Sequence, residues 1–212
     1  MRVAIIGTGQ VGQALGRGFV SRGHETRLAS RTPGSDVVQA WLRENGDHSS
    51  AGTPAEAARW CELAVLATNW EGVEASTQAC APTLGGKTVI DVTNPLRDGR
   101  LELGHTDSGG EAVQRWLPDS HVVKAFNILN FGDMVDPTYR SGTPTMFMAG
   151  NDDAAKHVVT GILESFGWSD VVDLGGIEAA RLTESLAMLW ITCGLRAGGS
   201  WRHAISLLRP SS

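Results

Sequence analysis

The sequence lacks what several function classes need. Only three cysteines occur, Cys61, Cys80 and Cys193. They stand far apart, with no Cys-x-x-Cys pair and no zinc-type Cys/His spacing, so reduced thiols and no metal site are expected. No apolar run reaches the roughly 18 residues of a membrane span. The most apolar late stretch, Leu186 to Leu195, is short and broken by Thr192, Cys193 and Gly194. The first residues lack the apolar core and Ala-x-Ala site of a signal peptide, and a cytoplasmic protein is expected. Lys and Arg number 18 against 23 Asp and Glu, a net charge of −5 with no basic cluster. Neither nucleic acid nor a membrane surface is therefore an expected partner. No G-x-S-x-G elbow or Ser/His/Asp order is visible. The six histidines never pair at i, i+4, and His121, at a strand start, reads as structural.

What is present is globular: 212 residues, 42% apolar and 19% charged, enough for a substantial core. Short apolar runs alternate with helical stretches. Strands are expected at Val3–Ile6, Glu25–Ala29, Leu63–Ala67, Lys87–Val92, Ser120–Phe126, Thr145–Ala149 and Val171–Leu174. Helices are expected at Gln10–Ser21, Ser35–Glu44, Pro54–Trp60, Glu71–Cys80, Asp152–Phe166 and Ala179 to about Leu195, from apolar spacing near 3.6 residues. This order predicts an α/β fold of the Rossmann type, a doubly wound, mainly parallel sheet with right-handed crossovers. Arg97–Gly110, with four glycines, reads as a surface loop. The one composition shift, at Gly175-Gly176, divides a Rossmann domain (residues 1–175) from an almost purely helical C-terminal extension (176–212). The last four residues, from Arg209 on, are expected to fray.

Gly7-Thr8-Gly9-Gln10-Val11-Gly12 matches G-x-G-x-x-G directly between the first strand and an amphipathic helix, the context this motif requires. Gly7 permits the tight turn, Gly9 lets the backbone approach a pyrophosphate, and Gly12 lets helix and strand pack closely. Helix amides and dipole then favour the diphosphate. At the end of the second strand an NAD site places an acid for the ribose 2′-hydroxyl. Here stand Ser30 and Arg31, with no acid before Asp36. A carboxylate repels a 2′-phosphate, whereas Arg31 can pair with it and Ser30 can donate to it. NADP(H) is predicted over NAD(H); the plain alternative is that Arg31 is a solvated loop charge.

Ligands of open parallel sheets lie across the carboxyl ends of the strands. Three strands run into polar or aromatic residues there: Thr68-Asn69-Trp70, Thr93-Asn94-Pro95 and Phe126-Asn127. Thr68, Asn94 and Asn127 are candidates for ribose or carboxamide hydrogen bonds, and Trp70 or Phe126 for flanking a ring; each is also ordinary turn chemistry. Lys124, inside an apolar strand, faces a cavity or an edge. In the last helix, spacing allows Arg181 and Glu184 to pair. The apolar residues Leu186 to Trp190 predict burial by the sheet or by another subunit. No catalytic acid or base is assigned; in hydride transfer the cofactor carries the chemistry and the protein aligns it.

Taken jointly, the glycine turn, Ala29-Ser30-Arg31, Asp91-Val92-Thr93-Asn94-Pro95-Leu96, Val122-Val123-Lys124-Ala125-Phe126-Asn127 and Ala180-Arg181-Leu182-Thr183-Glu184-Ser185-Leu186 give a resemblance. Over nearly its whole length the chain resembles the coenzyme F420 (deazaflavin)-dependent NADP oxidoreductases and the bacterial dinucleotide-binding reductases. It is also similar to the cytosolic NADPH domain of the six-transmembrane metalloreductases. The resemblance implies that Thr8, Gln10, Val11, Ser30 and Arg31 contact NADP and that Ala125 and its neighbours lie near the nicotinamide. It implies that the helix at Arg181–Trp190 covers the acceptor ring and helps form a homodimer. Where the deazaflavin enzymes carry a His near the acceptor ring, this sequence has Asn127.

The expected function is hydride transfer between NADPH and a small-molecule acceptor, either a flavin (FMN or FAD) or deazaflavin coenzyme F420. The alternative is a non-catalytic NADP(H)-binding sensor or partner-binding module. A dehydrogenase of small carbonyl substrates ranks last, because few residues remain after Gly176 for a second domain.

Overall fold

The computed structural model describes residues 1–210; Ser211 and Ser212, part of the segment expected to fray, lie outside them. The first two crossovers follow the sequence expectation closely. Strand β1 (Arg2–Ile6) leads into helix α1 (Gln10–Ser21), β2 (Glu25–Ala29) and α2 (Asp36–Asn45). Then come β3 (Ser49–Gly52), α3 (Pro54–Trp60), β4 (Leu63–Leu66), α4 (Trp70–Leu84) and β5 (Thr88–Asp91). Beyond β5 lie the hairpin β6 (Leu96–Arg97) and β7 (Arg100–Leu101), α5 (Gly109–Trp116) and β8 (His121–Lys124). The chain then forms β9 (Met146–Gly150), α6 (Asp153–Ser165), β10 (Val171–Asp173) and α7 (Ala180–Arg196).

The main sheet has the order β10-β9-β8-β5-β4-β1-β2-β3. Strands β3 to β8 of this order run parallel, each aligned with its neighbour. Chain direction along the sheet reverses between β1 and β4, the switch point at which such sheets bind ligands. Helices α1, α2 and α6 bury one face around Leu15, Phe19, Trp41, Val159 and Leu163. Helices α3, α4 and α5 bury the other around Ala57, Val73, Leu84 and Val113. Strands covered on both faces must be apolar throughout, and β4 is fully buried along its length. Local signals set several ends. Thr53 and Glu56 form a reciprocal capping box on α3, with Pro54 in its first turn, a cap worth about 1 kcal/mol.

The structure departs from expectation in five places. Strand β9 is antiparallel to β8, and β10 runs with β9. A parallel return is usually made by a crossover helix that packs on the sheet, and the connection from Ala125 to Thr145 holds only a 3-10 turn at Phe131–Asp133. Strand β3 adds an edge that Ser49-Ser50-Ala51-Gly52 does not announce, since its composition is polar and small. The segment read as a loop contains the hairpin and the start of α5, whose first turn Ser108 caps through the Glu111 amide. Helix α4 runs on past Pro82 because Cys80 and Leu84 are buried. Residues 197–210, after α7, are not helical. They return across the sheet end, where the Thr145 amide donates to the Ile205 carbonyl at 2.9 Å and Arg209 pairs with Asp170 at 2.9 Å. Among the described residues no helix is long and apolar enough to cross a membrane.

All three cysteines are free thiols, and only Cys193 is exposed. Burial pushes the Cys80 thiol up to about 12 and raises Cys61 as well, and the thiolate is the reactive form. At pH 8 a thiol-specific disulfide reagent is expected to modify one thiol per native chain and three after denaturation. Three rapid equivalents on native protein would contradict the packing of α3 against α4.

Candidate functional site

The turn between β1 and α1 is built by close backbone approaches. Gly7 has φ +131°, and a Cβ there would collide with the Ala67 backbone at the end of β4. A Cβ on Gly12 would collide with the Gly7 carbonyl oxygen and stand 3.2 Å from Ile5. The Gln13 side chain donates to the Thr8 carbonyl at 2.9 Å and stiffens the turn. Gly9 is the N-cap of α1 and offers no side-chain cap, and the first turn holds no acid. By contrast Thr53, Ser108 and Asp152 cap α3, α5 and α6 through their side chains. Open first-turn amides at the positive end of a helix form an anion site. Gly9 and Gln10 are exposed, Thr8 and Val11 half-buried. A Cβ on Gly9 would meet no atom within 4 Å, so this face of the turn is open to a ligand.

At the end of β2 the Ser30 amide donates to the Gly52 carbonyl at 3.0 Å, tying the strand end to β3. The Ser30 hydroxyl accepts from the Thr32 amide at 3.0 Å, leaving its own proton to give. Arg31 is exposed. The first acid beyond it, Asp36, begins α2 and lies near that helix's positive end.

The rim residues divide into two groups. Asn94 and Asn127 clasp each other. Asn94 Nδ2 donates to the Asn127 carbonyl at 2.8 Å, and Asn127 Nδ2 donates to Asn94 Oδ1 at 2.9 Å. Asn127 Oδ1 is buried with no partner, and so is Thr68 Oγ1. Two such orphans cost about 1–3 kcal/mol each unless a ligand or water meets them. A ribose hydroxyl and a carboxamide are groups of the chemistry they lack, and the residues present fit a nicotinamide dinucleotide. Phe126, between Lys124 and Asn127, has φ +63°, a conformation that strains a bulky residue by about 1–3 kcal/mol and concentrates at functional sites.

The two aromatic candidates are engaged elsewhere. The Phe126 ring is buried, 6.1 Å from the Phe166 ring centroid, so only its backbone belongs to the rim. Trp70 Nε1 donates to Glu102 at 2.7 Å and its ring lies 5.9 Å from that of Trp116. It holds the β6–β7 hairpin and α5 instead of presenting a free face. Asn69 is exposed at the start of α4, and Ala125 is wholly buried.

Behind this rim lies a cluster the sequence showed only as charges inside apolar runs. Lys124, Asp91 and Glu184 are all fully buried. Lys124 Nζ stands 3.0 Å from Asp91 Oδ2 and 2.8 Å from Glu184 Oε1. Burial alone would lower its pKa; the two carboxylates outweigh burial and hold it above the ordinary lysine value. Lys124 therefore faces neither a cavity nor an edge. The Arg181–Glu184 pairing expected from spacing does not form: Arg181 pairs with Glu111 at 2.5 Å, and Glu184 turns inward. His121 Nδ1 lies 3.4 Å from an Asp152 carboxylate oxygen at the amino end of β8, the end of the strand away from the rim.

Comparison with known proteins agrees with this geometry. Residues 2–95 match the family model described as NADP oxidoreductase, coenzyme F420-dependent. A crystal structure from Arthrobacter sp. FB24, to which an F420-dependent NADP-reductase function is ascribed, is 35% identical. It superposes with a TM-score of 0.92 over 98% of this chain and 99% of that one. The F420-dependent NADP reductase of Methanothermobacter marburgensis is 27% identical over 92% of this chain and 93% of its own length. The metalloreductase STEAP3 of Rattus norvegicus is 27% identical over 88% of this chain, which spans only 36% of that protein. With a matching turn, a matching fold and a full-length relative of this identity, the chain belongs to the coenzyme F420-dependent NADP oxidoreductase family.

Proposed function

We propose that this protein transfers a hydride between NADP(H) and a flavin or deazaflavin acceptor, with coenzyme F420 the first acceptor to test. The observation that carries the cofactor half is the open anion turn at Gly9 together with Ser30 and Arg31 where an NAD site would carry an acid. The amides at Thr8, Gln10 and Val11 bind the diphosphate. Arg31 and Ser30 hold the 2′-phosphate by charge-assisted hydrogen bonds. Thr68 and Asn69 serve the sugar, and the Asn94–Asn127 clasp orients the carboxamide beside the Ala125–Phe126 backbone. Bound NADPH supplies the hydride. No side chain at the rim must donate a proton for that step; alignment and exclusion of water are the protein's contribution.

The segment from residue 176 on acts as an extension covering the acceptor side, and a second copy of the chain docks on it. Support comes from the outer face of α7, where Leu182 and Leu189, two turns apart on the same side, are 64% and 54% exposed.

Four measurements test this reading. Arg31→Ala is expected to weaken NADPH by about 1.5–3 kcal/mol and leave NADH nearly unchanged by calorimetry; equal losses would remove the 2′-phosphate argument. Gly9→Ala is expected to keep or raise thermal stability, since the methyl group meets open space and φ is −72°. It should weaken NADPH by about 1.4 kcal/mol or more, roughly tenfold; an unchanged affinity would move the diphosphate off this turn. Light scattering is expected to read twice the chain mass of 22.5 kDa, and Leu189→Glu to return it to a single chain. If neither coenzyme F420 nor FMN oxidises bound NADPH above the buffer rate, the protein is a dinucleotide-binding module and not a reductase of this type.

A further inference from the structure

The buried charges behind the rim have a use that stability alone does not supply. Removing a lysine and two carboxylates from water costs several kcal/mol per ion, and apolar replacements of such clusters are often neutral or stabilising. Here every donor of the ammonium is spent. Besides the two carboxylates, Lys124 Nζ donates to the Thr93 carbonyl at 2.5 Å. Asp91 Oδ1 in turn accepts from the Thr93 amide at 2.9 Å and the Thr93 hydroxyl at 2.7 Å. Thr93 is thus gripped at three atoms, and the next residue is Asn94. Asn94 clasps Asn127, which follows Lys124 by three residues across the strained Phe126. Both halves of the clasp are anchored on the same ammonium, one through the Thr93 carbonyl and one through the end of β8.

The third ligand of the ammonium brings in the covering helix. Glu184 on α7 accepts from the Gly109 and Gly110 amides at 3.0 Å each while it meets Lys124. It closes the start of α5 and locks α7 to the rim with one carboxylate. The cluster carries one positive and two negative charges, and these amides offset the excess.

We propose that Lys124, fixed between Asp91 and Glu184, is a positioning residue that sets the Asn94–Asn127 clasp, and with it the nicotinamide end of the site, relative to α7. The proposal rests on the NADP(H) reading above. It predicts a split between the two ends of the cofactor: the adenosine end, held by the Gly9 turn and Arg31, is independent of the cluster, and the nicotinamide end is not.

The test uses the full-length double variant Lys124→Gln/Glu184→Gln, which preserves the net charge of the cluster and avoids an unpaired buried carboxylate on α7. Affinity is measured for 2′,5′-ADP, which lacks the nicotinamide, and single-turnover oxidation of bound NADPH is followed with coenzyme F420 and with FMN. The expected result is 2′,5′-ADP affinity within about twofold of the original and hydride transfer slower by about 10- to 100-fold, the scale of a misplaced reacting group. Equal loss at both ends, or unchanged transfer, overturns the proposal. If the double variant does not fold, Glu184→Asp, which keeps all charges and withdraws the carboxylate by one methylene, carries the same comparison with the same two outcomes. The original protein failing to bind either NADPH or 2′,5′-ADP is a separate result, read before any variant is made, and it takes down the cofactor reading itself.

Discussion

Three backbone segments meet at the switch point of the sheet only because two residues there carry no Cβ. Gly7 lies against the end of β4, and Gly12 lies against Gly7. Any side chain at either position would push α1 away from β1 or β1 away from β4. From this contact follow the direction in which α1 leaves the sheet, the exposure of its first amides, and the positive potential at that end of the helix. The flanking core then has one way to close, with Leu15 and Phe19 of α1 over the β1 face.

The two ends of the proposed site are made by different physics. The adenosine end is mostly backbone and exposed charge: helix amides, the Ser30 hydroxyl and the Arg31 guanidinium. Such a site needs little besides a correct turn and a strand end without an acid. The rim opposite it is made of side-chain amides held in one arrangement, and amides on loops have no conformation of their own. Their order is borrowed from the Lys124 cluster, from the strained backbone at Phe126, and from the hairpin that Trp70 and Glu102 fasten to α4. This difference explains why Phe126 and Trp70 serve as structural supports, although their position in the chain made them equally good candidates for ring contacts.

Strong local signals made half of the fold legible. The alternation of apolar runs and helical periodicity located β1, α1, β2 and α3 to the residue or nearly so, and the glycine motif located the tight turn between β1 and α1. The resemblance carried the family, which the full-length comparison then bore out. The antiparallel return of β9 was not legible, because strand direction depends on what the connection can span and not on the strand's own residues. The polar, short β3 and the helix α5 were hidden for the opposite reason. They form because neighbours cover them, with Ser108 and Glu184 meeting the amides at the start of α5.

By itself the amino-acid sequence determined the fold class, the glycine turn and the absence of an acid where a 2′-hydroxyl would need one. These depend on residues within a single turn or strand, where sterics and charge act over a few ångströms of chain. Only the tertiary structure decided that Lys124 meets Asp91 and Glu184, 33 residues back and 60 ahead along the chain, and that Arg181 instead takes Glu111. Ion pairs among buried groups are chosen by which elements the core brings together, since a charge that loses its water must accept whichever partners the packing offers.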